Sequence, residues 1–372
     1  MSDHAGFMDR PTRAQRFEGR LARALSHIPG RWLLRLIRET PCVLHGQTLD
    51  PHVQFILAAR RRKPSVLICG PTPPEARARY RCDVRAVTTG AGVPPTAVSL
   101  VRDLTIDGAD GPLRARHYAP RTDTNTPRPL MVYFHGGGFV VGDLETHDEP
   151  CRLLCHHADV HVLSVEYRLA PESPFPAAVD DSVAAVRWAQ RHAGELGADP
   201  ERICTGGDSA GANLAAVAAL AAAREGRPLA AQLLLYPTTD SRGTTASKAA
   251  FSTGFMLTSG DMNAFTAHYF SGDLSLQADP RVSPALDSDL ALSPPTLILT
   301  AAFDPLRDEG EAYAELLRAT GVTVHCARAD GMVHGFVHMT TVVPTALSAY
   351  ITMARQFRSL VNQPVSAVVQ PR

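Results

Sequence analysis

Apolar positions change rhythm near residue 97. Before it, residues 10–38 interleave Leu21, Leu25, Ile28, Leu33, Leu34 and Ile37 with Arg10, Arg13, Arg16, Arg20, Arg23, Arg31, Arg35 and Arg38. That spacing predicts one or two basic amphipathic helices, broken at Pro29–Gly30. Asp50–Arg62 carries Val53, Ile56 and Leu57 on one helical face, and the proline-rich stretch from Pro71 to Arg79 suits a connector into a further short helix. After residue 97, Ala97–Ile106 and Leu113–Tyr118 alternate as strands do, on either side of the turn signal Asp107–Gly111. Continuous apolar runs follow at Pro129–Phe134, Val160–Glu166, Arg202–Thr205, Gln232–Tyr236, Thr296–Ala301 and Val322–Ala327. Helical patterns lie between and after them, at Thr146–His157, Ala177–Ala193, Ala210–Arg224, Glu309–Ala319 and Pro344–Phe357.

Short buried strands alternating with helices predict an α/β chain whose mostly parallel sheet is covered on both faces. One interval breaks the alternation. Thr238–Leu292 separates two strands by more than fifty residues and holds a helix pattern over Gly260–Phe270, with Met262, Phe265 and Tyr269 at helical spacing. An insertion of that size above a sheet is a candidate lid. The Met262/Phe265/Tyr269 stripe suits either lining a pocket or docking the lid.

Composition narrows the function classes. The 372 residues carry 37 Lys+Arg against 37 Asp+Glu, so no global field favours nucleic acid. No stretch reaches the roughly 18 consecutive apolar residues of a spanning helix. No apolar leader with a small-residue cleavage site opens the chain. Seven scattered cysteines (Cys42, Cys69, Cys82, Cys151, Cys155, Cys204, Cys326) suit a reducing cytosol better than a disulfide framework, so the expected location is the cytoplasm.

Three strings carry chemistry. Gly207-Asp208-Ser209-Ala210-Gly211 lies between a predicted strand and a predicted helix. A serine at such a turn is lifted clear of the sheet, beside amides that gather partial positive charge. His135-Gly136-Gly137-Gly138-Phe139 directly follows another strand. Its first four residues are expected by chance only about 0.006 times in a chain of this composition. Successive glycines let backbone N–H groups converge, as a developing oxyanion requires; a phosphate loop would need a Gly-Lys-Ser/Thr that is absent. Asp304 and His334 follow the last two strands, at the sheet edge where such sites assemble. Asp308 is the rival carboxylate, placed in a first helical turn; Asp330 lies too near His334 in sequence; His338 is the rival base.

Together, His135-Gly-Gly-Gly-Phe139, Glu166-Tyr-Arg-Leu-Ala-Pro-Glu172, Gly207-Asp-Ser-Ala-Gly211, Asp304-Pro-Leu306 and His334-Gly-Phe336 resemble the hormone-sensitive-lipase-like carboxylesterases, the bacterial lipolytic family IV of the α/β-hydrolase superfamily, in its GDSAG subgroup. The resemblance spans about residues 50–360. It implies an α/β-hydrolase fold with a helical cap, with Ser209 as nucleophile, His334 as base and Asp304 as its orienting acid. It also implies the N–H groups of Gly137, Gly138 and Ala210 as oxyanion hole. The implied organisation is an N-terminal cap segment at 1–95, a catalytic domain at 96–362 with a cap insertion at about 238–292, and a tail at 363–372. No metal and no cofactor are expected, and the expected partner is a small-molecule ester. Asp208 reads as bracing the site, and Arg168 and Glu172 as scaffold ion pairs.

Other readings stay in view. The same triad serves an amidase or deacetylase, and some superfamily members are receptors, although those lose the histidine that stands here at His334. Cys151, Cys155, His156, His157 and His161 could suggest a metal, but Cys151 and Cys155 at i,i+4 beside Leu154 fit a packed core face better. The basic N-terminal helices fit cap packing first and peripheral contact with an anionic membrane second. Monomer and homodimer are both open.

Overall fold

A computed structural model describes residues 12–62, 68, 72–121 and 126–363. The predicted tail at 363–372 therefore lies almost wholly outside the described residues, as do Arg10, Cys69 and Pro71. The chain opens with a helical layer. The amphipathic stretch forms α1 (Arg13–Leu25) and α2 (Gly30–Ile37), separated at the expected Pro29–Gly30 break. Thr12 and Gln15 close a reciprocal capping box at the start of α1. A small hairpin follows, β1 (Val43–Leu44) with β2 (Gln47–Thr48), then α3 (Pro51–Arg61) and α4 (Pro73–Val87). The Asp50 side chain accepts from the His52 and Val53 N–H groups, and Pro51 at the first helical position has no N–H to leave unpaired. Two-residue strands leave no periodic trace, so the hairpin was not legible in the sequence.

The remaining strands form one sheet in the order β10-β9-β8-β7-β5-β6-β4-β3. At one edge β3 (Leu100–Gly108) and β4 (Gly111–Ala119) make an antiparallel hairpin. Then come β5 (Arg128–Phe134), α5 (Asp148–Ala158), β6 (His161–Val165), α6 (Ala177–His192), β7 (Ala198–Asp208), α7 (Ala210–Arg224) and β8 (Ala231–Leu235). The interval from 238 to 292 holds α8 (Ala246–Ala250), α9 (Ser259–Phe270) and three 3₁₀ turns. β9 (Thr296–Phe303), α10 (Arg307–Ala319), β10 (Val324–Val333) and α11 (Pro344–Val361) complete the chain. Strands β5 to β10 pair in parallel, and β4 runs antiparallel to β6.

The alternation of β5 shows how the sheet is covered. Leu130, Val132 and Phe134 enter the apolar cluster shared with α6, α7 and α10, whereas Met131 and Tyr133 enter the one shared with α5 and α11. Helix α7 is an alanine run packed against the sheet. A Cβ on Gly211 would collide with the Phe134 carbonyl, so the start of α7 can lie against the end of β5 only with glycine there.

Two boundaries differ from the sequence pattern for physical reasons. Helix α5 starts at Asp148, because Thr146 closes a turn with Asp143 through its N–H and hydroxyl. Strand β10 runs on to Val333 through a register irregularity between Ala329 and Val333, which delivers His334 directly from a strand end. Among the described residues no helix is long and apolar enough to cross a membrane.

Candidate active site

Ser209 stands between β7 and α7 with φ 56° and ψ −121°, a conformation costly for a residue with a side chain. The strand register carries that strain: the Ser209 N–H donates to the Leu235 carbonyl of β8 at 2.9 Å. The turn leaves the hydroxyl partly exposed, facing the strand ends β9 and β10. There His334 Nε2 lies 2.9 Å from Ser209 Oγ, and His334 Nδ1 lies 2.7 Å from Asp304 Oδ2. Asp304 is fully buried, and its other oxygen accepts the Leu306 N–H at 2.8 Å. The carboxylate is thus fixed at one oxygen by backbone and offers the second to the imidazole. Tyr236 packs against that ring, with centroids 4.6 Å apart.

The rivals are occupied elsewhere. Asp308 accepts the Ser247 N–H at 2.7 Å and pairs with Arg307, which anchors α8. Asp330 is exposed on β10. His338 is buried in the 3₁₀ turn Phe336–Met339, with Nε2 3.0 Å from the Tyr80 hydroxyl of α4. Burial, with His147 beside it, pushes His338 down to about 3, so it stays neutral across ordinary pH.

The glycine string follows the end of β5. The Val140 and Val141 N–H groups both donate to the Gly137 carbonyl. Gly138 has φ +61°, and a Cβ there would run into the Phe265 ring. The Met262/Phe265/Tyr269 stripe therefore divides: Phe265 lies over the glycine loop, whereas Tyr269 docks its helix by stacking on Phe139 at 3.9 Å. Ala210 is the first residue of α7. Within the described residues no acceptor is paired with the N–H groups of Gly137, Gly138 or Ala210.

Asp208 braces this loop from beneath. It is buried, and its Oδ1 accepts the Gly136 N–H and the Tyr133 hydroxyl, each at 2.9 Å. His147 Nε2 lies 3.2 Å from the same oxygen. Burial alone would raise this carboxyl, but His147 and the donors outweigh it and hold Asp208 well below the usual carboxylate range. The hydroxyl proton of Thr146 is committed to the Asp143 carbonyl, so His147 can meet Thr146 only as a donor from Nδ1. His147, Asp208 and His338 each bring one ligating atom within 4.8 Å of the others, a grouping no sequence spacing had indicated. The cysteine–histidine cluster of the sequence does not assemble. Cys151 and Cys155 are buried core thiols, and His161 meets His117 instead, at 2.9 Å.

The scaffold pairs form, though not with each other. Arg168 forks onto Asp181 and reaches Asp110, and Glu172 pairs with Arg77. Arg77 was not singled out from sequence. From α4 it donates to the Val140 carbonyl and to the Ala170 carbonyl, each at 2.8 Å, tying the N-terminal layer to the glycine loop. Tyr80, and Arg81 on Asp143, were missed in the same way. An arginine among many gives no signal in a single chain.

The family model for the alpha/beta hydrolase fold matches residues 131–338, a stretch that runs from within β5 to the His338 turn. The chain belongs to that family. Its curated relatives include the carboxylic ester hydrolase LipN of Mycobacterium tuberculosis, 45% identical over 80% of this chain and 79% of the relative. Another is the ethyl acetate hydrolase of Pseudomonas putida, 37% identical over 73% and 85%. Among solved structures, an esterase of Pyrobaculum calidifontis superposes with a TM-score of 0.77 at 37% identity, over 84% of this chain and 99% of that one. This α/β hydrolase is accordingly a carboxylic ester hydrolase of the hormone-sensitive-lipase-like kind.

Proposed function

We propose that the chain hydrolyses short- to medium-chain acyl esters through an acyl-enzyme formed on Ser209. The observation that carries this reading is the unbroken hydrogen-bonded chain from Ser209 Oγ through His334 to Asp304. His334 Nε2 takes the serine proton as Oγ attacks the ester carbonyl, and Asp304 holds the Nδ1 proton and supports the imidazolium. The unpaired N–H groups of Gly137, Gly138 and Ala210 supply donors for the oxyanion without reorganising. His334 then gives its proton to the leaving alcohol, and water repeats the sequence on the acyl group. Every proton is returned within one turnover, so no cofactor is required.

We infer a cap made of residues 1–95 together with the 238–292 interval. In support, the Ile68 N–H donates to Asp261 of α9 at 2.6 Å, joining the two segments. The Asn213 amide donates to the Thr238 and Val282 carbonyls, holding the interval to α7. Phe265 narrows the space over the glycine loop, in keeping with a relative named for ethyl acetate. Cys42, Cys151, Cys155, Cys204 and Cys326 are free thiols, which suits the cytoplasm.

The test is a p-nitrophenyl ester series from acetate to palmitate, run beside Ser209→Ala. The expected result is a maximum at short or medium chains and a loss of about 10⁴-fold or more in the folded variant. Near-normal turnover by Ser209→Ala would overturn the assignment of the nucleophile, and a maximum at palmitate would overturn the chain-length reading.

A further inference from the structure

The N-terminal layer shows the exposed surface that the catalytic reading leaves unexplained. Ten large hydrophobic residues stand exposed among the described residues, and six of them (Phe17, Leu21, Trp32, Leu36, Val43 and Leu44) fall between residues 17 and 44. Phe17 is 68% exposed, Leu36 66%, Trp32 49% and Leu21 46%. They come in i,i+4 pairs, Phe17 with Leu21 on α1 and Trp32 with Leu36 on α2, so each pair shares one helical face.

These faces are surplus to packing. Helix α2 already buries Leu33 and Leu34, and α1 turns Gly19 against the Ala86 carbonyl of α4. Arginines surround the outward faces: Arg13, Arg16, Arg20, Arg31, Arg35 and Arg38 are all exposed, and none is ion-paired among the described residues. Residues 12–44 carry seven arginines against Glu18 and Glu39. The guanidinium groups of Arg35 and Arg31 lie over the Trp32 ring, at 4.7 and 5.8 Å from its centroid.

We propose that the outward faces of α1 and α2 form a docking surface for an anionic lipid bilayer. Aromatic and aliphatic side chains ringed by arginine match an interface with an apolar interior and negative headgroups. A second copy of the chain is a poor occupant, because it would bring six exposed arginines against six. A nucleic acid would use the arginines but leave Phe17, Leu21 and Leu36 against phosphate. The surface is also linked to the site through packing. Helix α1 rests on α4, which grips the glycine loop through Arg77 and the His338 turn through Tyr80. Docking there would present the hydrolase to esters carried by the membrane, a purpose that rests on the proposed function; the binding itself does not.

The test uses the full chain with vesicles of phosphatidylcholine alone and of phosphatidylcholine mixed with phosphatidylglycerol, read by sedimentation and tryptophan emission. The expected result is salt-sensitive partitioning onto the mixed vesicles with a blue shift that Trp32→Tyr removes; the other tryptophan, Trp188, is stacked on His192. The triple variant Arg20→Glu/Arg31→Glu/Arg35→Glu should lower partitioning by on the order of 100-fold or more. Phe17→Ser/Leu21→Ser/Leu36→Ser should release the protein as well. Equal binding to both vesicle types, no binding at low salt, or variants that bind like the parent would overturn the proposal. So would a reversible dimer dissolved by the serine variant, which would assign the face to a second copy. Turnover of soluble p-nitrophenyl acetate should be unchanged in the variants, which reports that they fold. If the parent binds vesicles but hydrolyses no ester, only the catalytic reading fails.

Discussion

Two buried aspartates face two histidines at this sheet edge, and they are put to different uses. Asp304 holds His334 at 2.7 Å, and the far nitrogen of that ring reaches the partly exposed Ser209 hydroxyl. Asp208 faces His147 at 3.2 Å, and the far nitrogen of that ring ends on Thr146, in the interior. The first carboxylate is held by one backbone N–H and keeps an oxygen for the imidazole; the second gathers the Gly136 N–H, the Tyr133 hydroxyl and His147 on one oxygen. On the proposed function, the same residue pair serves as a relay where one end is open, whereas it forms a rivet where both ends are closed.

The contrast can be broken by substitution. Asp304→Asn should cut kcat by about 10³–10⁴-fold, because the amide presents the wrong partner to Nδ1, with a small change in thermal stability. If kcat fell less than tenfold in a folded variant, Asp304 would not be orienting the base. Asp208→Ala should show the reverse weighting. Its removal strands the buried Gly136 N–H and Tyr133 hydroxyl, each at a cost of about 1–3 kcal/mol, so chemical denaturation should lose several kcal/mol while the folded fraction keeps measurable turnover. A variant as stable as the parent would show that Asp208 carries no structural load.

Much of this edge was legible beforehand. The glycine strings, Ser209, Asp304 and His334 are short-range signals, each tied to the end of an apolar run, and the strand order brings them together. What could not be read was long-range. Arg77, Tyr80 and Arg81 act from α4 on loops 60 or more residues away, and His338 is identifiable as buried only once α4 covers it. Nothing in local spacing distinguishes those residues from neighbouring arginines and tyrosines.

A smaller effect sharpens the contrast through pH. Burial holds His135 down to about 4 and His338 down to about 3, from an ordinary value near 6.5. Each therefore refuses a proton that the unfolded chain accepts. Stability from these two sites is intact above about pH 6.5 and is lost as pH falls from there, levelling as the folded sites also protonate, near 4 for His135 and near 3 for His338. Melting temperature should accordingly decline with acid over that window, and His338→Gln, which keeps a polar partner for Tyr80, should make the decline shallower. An unchanged slope would remove His338 from the account.

The Arg77 fork has a consequence for how such enzymes can be recombined. Its guanidinium reads two carbonyls, at Val140 and Ala170, and the Glu172 carboxylate, from a helix that lies far earlier in the chain. Carbonyls are present whatever the side chains, so the core half of this joint survives sequence drift, while the arginine does not. A chimera that grafts a foreign N-terminal layer onto this sheet must therefore import an arginine at the same turn of its own α4. Without one, the graft would dock on apolar surface alone and leave the glycine loop unclamped.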